Sequence, residues 1–360
     1  MSQSAAPRTD PSPLRLGFVP LTDAAPLIAA VEKGFFADAG LEVELHREVS
    51  WASLRDKLAV GLYDAAHLLY PMPLAMTLGL GAPAVPTQTS HVLSHGGNAI
   101  TLRCDLAEAL QQQVGDAAAR LAAVLRARGA DRPPLRFGVP FPASCHHYEL
   151  RRWLASGGID AVADSGLWPG ADRPAVRLRV MPPSQMAEAL RGGDLDGMCV
   201  GEPWNSLASY RGWGSVVAAC AAVRPDAPEK VLGVTAAWAA AEPARHTALR
   251  HALAAAGAWC DDPANHGEVA RLLGSERYLD LPPTVIQPSL GGAVAGDADA
   301  TLDSALRLSG GIHAPRISDA ADLLRDMQIA HPMEVPEGNP AKTILRATYM
   351  TPPLEAGLRH

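Results

Sequence analysis

The chain has 360 residues, 48% of them apolar and 5% aromatic, with a formal net charge of -7. That length exceeds one typical core and suits two domains, while an acidic balance without a basic run argues against direct binding to nucleic acid. Five scattered cysteines with no CxxC pair argue against a zinc site or a disulfide framework and fit a reducing compartment.

Residues 1–13 (MSQSAAPRTDPSP) are polar and lack the apolar core of a secretory signal. No apolar run reaches the length of a membrane span. A cytoplasmic location is the expectation. The first apolar run, 14–19 (LRLGFV), reads as a buried strand ending at Pro20. Thr22 and Asp23 offer capping oxygens to a helix over 24–39, with Gly40 at its end. Residues 41–48 (LEVELHRE) alternate like a strand, Ser50 caps a helix over 51–60, residues 63–69 form the next strand and 71–78 a further helix. This alternation predicts an α/β fold with mostly parallel sheets and helices on both faces. Ligands of such sheets sit beyond the C-terminal strand ends, where Thr22-Asp23, Ser50-Trp51 and Tyr70-Pro71-Met72 would gather.

Residues 92–102 (VLSHGGNAITL) read as a β-rich crossing into a second lobe, with Gly96 and Gly97 supplying hinge backbone. That lobe repeats the pattern: strands at 135–139, 176–181 and 195–200, and helices from Ser144 and from Pro182-Pro183. Residues 230–235 (KVLGVT) would return the chain to the first lobe, followed by a helical tract over 242–260. The division expected is 14–102 for the first part of lobe 1, 103–230 for lobe 2, 231–331 for the helical return, and 332–360 for an irregular, proline-rich tail.

Several strings taken in order carry a family resemblance: LGFVPLTDAAPLIAAVEKGFFADAGLEVEL, SWASLRDKLAVGLYDAAHLLYPMP, HGGNAITL, FPASCHHYELRRWLASGG, VMPPSQM, CVGEPW and PEKVLGV. They resemble the nitrate/bicarbonate-binding family of ABC-transporter solute receptors. The resemblance implies a two-lobed, periplasmic-binding-protein-like fold of type II with the ligand cleft between the lobes. Its ligand would be nitrate or nitrite, with no cofactor and no metal. Without an export signal the chain resembles the cytoplasmic NasS-type sensor branch. That branch holds a NasT-type antiterminator, an RNA-binding response-regulator-like partner, until the anion binds. The alternative is the receptor of a nitrate ABC transporter with its signal peptide absent.

Nitrate is planar, monovalent and a weak acceptor, so its pocket needs a positive charge, several donors and a flat apolar wall away from water. The resemblance carries the nitrate-type lysine onto Lys230, where bicarbonate members place a carboxylate. It carries the anion-contacting histidine onto His146, at a helix start whose N–H groups favour an anion; His147 has no such match. Trp51 would wall the pocket and donate its indole N–H. Asn98 stands where transport members carry glutamine; its shorter amide still donates and would admit nitrite. Pro183 is expected to wall the anion. Gly201 and Glu202 lie at strand ends, and Glu202, which would repel an anion, reads as a hinge or supporting group. His67 reads as a core histidine. A related fold serves an enzyme of thiamine-pyrimidine synthesis, but that chemistry wants a cysteine cluster and a phosphate site. The sequence shows neither, nor any nucleophile–base motif or P-loop, and it reads as a binding protein rather than an enzyme. A sulfonate or a pyrimidine is the remaining ligand alternative.

Overall fold

A computed structural model describes residues 12–129, 132–163, 175–295, 301–303, 306–308, 314–331 and 335–350. The first lobe opens with β1 (Leu14–Phe18), a 3-10 turn (Thr22–Ala24), α1 (Ala25–Glu32) and α2 (Phe35–Asp38). The single helix expected here is two, because Gly34 adopts a left-handed φ of 84° between them. Next come β2 (Val43–Arg47), α3 (Trp51–Ala59), β3 (Ala65–Leu69), α4 (Met72–Leu78) and β4 (Thr87–His95). Ser50 caps α3 as expected, its Oγ accepting from Ser53 N–H.

The chain crosses at Gly96-Gly97, both with positive φ, into β5 (Asn98–Arg103), which belongs to the second sheet. Residues 92–102 are therefore two strands in different sheets, and 98–102 lie with the second lobe rather than the first. That lobe contains α5 (Cys104–Gln111), α6 (Ala117–Arg128), β6 (Leu135–Val139), α7 (Cys145–Ser156), β7 (Ala161–Ala163) and β8 (Val176–Val180). It continues with α8 (Pro183–Gly192), β9 (Gly197–Gly201), α9 (Trp204–Tyr210) and β10 (Gly214–Ala219). β11 (Pro228–Thr235) returns to the first sheet, two residues ahead of the expected start at Lys230. After it come α10 (Ala236–Ala241), α11 (Pro243–Asp261), α12 (His266–Gly274), α13 (Pro283–Leu290), β12 (Ala293–Ala295), β13 (Thr301–Asp303), α14 (Ile317–Ala330) and α15 (Gly338–Thr348).

The first sheet has the order β2-β1-β3-β11-β4, with β1 parallel to β2 and β3, and β11 antiparallel to β3 and β4. The second has the order β10-β5-β9-β6-β8-β7, parallel from β9 to β7 and antiparallel from β10 to β9. Both are mixed sheets. Their central strands β3 and β9 are buried throughout, as strands covered on both faces must be.

The described part of the tail, residues 335–350, is not irregular as the sequence suggested. Within it α15 forms an amphipathic helix that buries Ala341, Leu345 and Thr348. Pro340 falls in the first turn, where its missing N–H costs no helical bond. The preceding α14 binds the second lobe, Arg152 Nε donating to Asp326 Oδ1 at 2.8 Å. Tyr349, after α15, binds the first lobe, its hydroxyl donating to Tyr70 O at 2.7 Å. The lobes also touch directly: Thr22 N–H donates to Glu202 O at 2.8 Å, and Trp204 Nε1 to Pro20 O at 3.1 Å.

Candidate functional site

Lys230 sits in β11 between β3 and β4, fully buried, opposite Leu69 at the end of β3. A buried ammonium needs partners. Its Nζ lies 2.8 Å from Asp23 Oδ2 and 3.0 Å from Glu229 Oε1. Neighbours on a regular strand point to opposite faces, yet Glu229 and Lys230 meet because β11 shifts register against β4 on both sides of Lys230.

Asp23 occupies the turn after β1 and does not cap α1, whose N-cap has no side-chain bond. Instead Asp23 Oδ1 lies 3.2 Å from His67 Nε2 in β3. Burial alone would raise the Asp23 carboxyl, but Lys230 and His67 outweigh it and hold it below the usual carboxylate range. Burial likewise works against the Lys230 ammonium, and Asp23 and Glu229 hold its pKa above the ordinary value. Burial pushes His67 down despite Asp23, so a neutral imidazole faces the carboxylate. Burial, opposed by Lys230 and reinforced by Glu149, pushes Glu229 up to about 7.

From the second lobe, α7 presents His146 at its second residue, and Ser144 Oγ caps the helix by accepting from His147 N–H. His146 is fully buried, with Nδ1 3.3 Å from Glu229 Oε1 but without hydrogen-bond geometry. Burial, aided by Lys230, pushes its pKa well down and keeps the ring neutral. Trp51, first residue of α3, lies 6.2 Å from the His146 ring, centroid to centroid, and Lys230 Nζ stands 5.6 Å over the indole. Both His146 ring nitrogens and Trp51 Nε1 are buried without a hydrogen-bond partner among the described residues.

Asn98 opens β5, directly opposite Gly201 at the end of β9. Its Nδ2 donates to Glu149 Oε2 at 3.0 Å and its Oδ1 is unpartnered. The amide expected to serve an anion with both N–H groups is thus partly committed to Glu149. A Cβ on Gly201 would lie 2.7 Å from Leu21 Cδ2, 3.5 Å from Asn98 Oδ1 and 3.6 Å from His146 Nε2. Gly201 therefore leaves room where the two lobes and two site residues converge.

The structure brings Lys230, His146, Trp51 and Asn98 together from four elements and both lobes. Gly96 and Gly97 lie at the crossing, as expected of hinge residues. Glu202 makes contacts of its own: its Oε2 accepts from Ser206 N–H, its carbonyl accepts from Thr22 N–H, and burial pushes its carboxyl up to about 7. Pro183 is buried at the start of α8, and no polar contact joins it to the cluster. Glu229 and Glu149 went unread in the sequence as members of this cluster, and Asp23, placed at the ligand edge, was given there only a capping role. Cys145, Glu149 and Glu229 offer ligand atoms within 4.8 Å of one another, but Glu229 already contacts the Lys230 ammonium and Glu149 already accepts from Asn98 Nδ2. Burial pushes the Cys145 thiol well up, which makes it inert.

Residues 8–274 match the NMT1-like family. The chain is 40% identical to the nitrate import ATP-binding protein NrtC of Synechocystis sp. over 76% of its length, spanning 39% of that protein. It is 34% identical to the nitrate/nitrite binding protein NrtA of Synechococcus elongatus, over 81% of this chain and 65% of that one. The crystal structure of the periplasmic nitrate-binding protein NrtA from Synechocystis superposes with a TM-score of 0.81 at 28% identity, covering 93% of this chain and 85% of the other.

Proposed function

The chain belongs to the NMT1-like family, and on that premise we propose that it is a receptor for nitrate or nitrite, held between its lobes by Lys230, His146, Trp51 and Asn98. The observation that carries this reading is the pair of unpartnered donor groups, Trp51 Nε1 and the His146 ring, buried beside the Lys230 ammonium. Pro183 is proposed as an apolar wall, and Gly96, Gly97, Gly201 and Glu202 as hinge and support. The role is capture rather than catalysis. Isothermal titration with nitrate, nitrite, bicarbonate and sulfate tests it. Micromolar binding of a nitrogen oxyanion, about 8 kcal/mol, is expected; tighter binding of bicarbonate or sulfate would overturn the choice of ligand.

A finer reading concerns what the receptor serves. Its five cysteines are free thiols, and the Cys199 and Cys220 thiols share an S–H···S hydrogen bond at 3.5 Å. Five scattered cysteines without a CxxC pair suit a reducing setting. Separately, among the described residues no helix is long and apolar enough to cross a membrane. For a cytoplasmic setting we propose a sensor role: anion binding would release a NasT-type RNA-binding antiterminator and so control nitrate assimilation. The other reading is the receptor of a nitrate ABC transporter, as the names of the relatives suggest. A pull-down of the full chain from its native cytoplasm, with and without nitrate, separates them. Recovery of a response-regulator-like RNA-binding protein that nitrate releases supports the sensor; an anion-insensitive preparation lacking such a partner supports the transport receptor.

A further inference from the structure

Lys230 does not meet an incoming anion as a free cation. Asp23 and Glu229 both contact its Nζ, and a carboxylate oxygen of Glu149 lies within 4.8 Å of one on Glu229. With Asp23 and Glu229 both ionised, the pocket carries net negative charge before any anion arrives. Among the described residues Glu229 Oε2 is also buried without a hydrogen-bond partner, a costly state for an ionised oxygen. One proton on that oxygen removes the excess charge and turns an unsatisfied acceptor into a donor.

We propose that Glu229 takes part in anion capture as a carboxylic acid, so that, wherever Glu229 is ionised in the empty pocket, each nitrate or nitrite bound draws one proton from solvent onto it. The inference rests on the anion reading above and adds a residue and a proton to it. No bond other than the new O–H forms, and water or buffer supplies the proton.

The groups facing Glu229 come from several elements: Lys230 from the same strand, Asp23 from the turn after β1, and Cys145, His146 and Glu149 from α7, with His67 of β3 behind Asp23. Lys230 holds Asp23 ionised, burial keeps His146 neutral, and burial keeps the Cys145 thiol protonated. Glu229 is left as the group that burial and Glu149, against Lys230, place in reach of a physiological proton. The sign follows from linkage. Below the ligand-free pKa, about 7, the acid form is already present and affinity is flat. Above it the proton must be taken up, and affinity falls roughly tenfold per pH unit.

The experiment is isothermal titration of the full chain with sodium nitrate and sodium nitrite at pH 5.5, 7 and 8.5, in paired buffers of different ionisation heat. Proton uptake per anion is expected to rise from near zero at pH 5.5 toward about one at pH 8.5, with Kd rising as stated. Glu229→Gln, neutral at every pH, is expected to abolish uptake and flatten the Kd profile, while Glu149→Gln retains uptake. Anion binding without proton uptake at pH 8.5 overturns the inference and leaves the anion reading intact. Uptake that persists in Glu229→Gln also overturns it, by moving the proton to His146 or Glu149. Absence of binding at every pH removes the anion reading itself. If Glu229→Gln does not fold, infrared difference spectra of the wild-type chain decide: nitrate added at pH 8.5 is expected to raise a protonated-carboxyl band, and its absence overturns the inference.

Discussion

At the scale of single residues, charge and packing cannot be separated around Lys230. Removing its ammonium leaves Asp23 buried beside a neutral imidazole and Glu229 beside Glu149. Breaking one side of a buried pair costs about 3–5 kcal/mol, so Lys230→Met is expected to lose that much stability in urea unfolding, along with anion binding. A stable Lys230→Met would show that the ion cluster carries no structural weight. Trp51 offers a cleaner probe of binding. Trp51→Phe keeps an aromatic wall and deletes a donor that has no other partner. A hydrogen bond to a charged acceptor is worth about 1.5–3 kcal/mol, so calorimetry is expected to show a Kd about 10- to 150-fold weaker. Unchanged affinity would mean the indole N–H does not meet the anion.

Among elements, α15 shows both what the sequence conceals and how to test it. Pro336, Gly338 and Pro340 suggest an irregular tail, yet the apolar residues behind them recur at helical spacing. Tyr349 then packs its ring 4.8 Å from that of Tyr70 and is almost fully buried. Tyr349→Ala is expected to cost about 3–5 kcal/mol, by analogy with other large aromatic truncations, measured by thermal or denaturant unfolding. A neutral result would place the tail outside the cooperative unit. The alternation of strands and helices was legible because apolar period and capping residues agree, as at Ser50 and Ser144. Sheet directions were legible only in part: the antiparallel return of β11 depends on a crossing that no local pattern encodes. At the candidate site, Lys230, His146 and Trp51 were legible through the family resemblance, which carried roles onto those positions, and not through a local pattern. The position of Asp23 at the ligand edge was legible, but its pairing with Lys230 was concealed because an acid before a helix reads as a cap. Glu229 was concealed because strand alternation should turn it away from Lys230, and only a register shift brings it back.

Across the whole molecule, among the described residues the lobes are joined by the crossings at Gly96-Gly97 and ahead of β11 and by α14 and α15, and Arg307 bonds backbone to backbone with His95 beside the first crossing. Opening about such a hinge would pull Thr22 from Glu202 and Trp204 from Pro20. Those two bonds, together with the complete burial of Lys230, His146 and Trp51, have a consequence in time rather than in energy. A hydrated ion has no path to these residues while the lobes touch, so exchange must wait for the lobes to part. In stopped-flow mixing followed by tryptophan fluorescence, the observed rate is expected to level off with rising nitrate, the plateau being the opening rate. A rate that climbs linearly at about 10⁷ M⁻¹s⁻¹ or faster would mean that the lobes stand open in solution most of the time. The bonds between them would then form only after the ion has arrived, making them a latch that the ion sets.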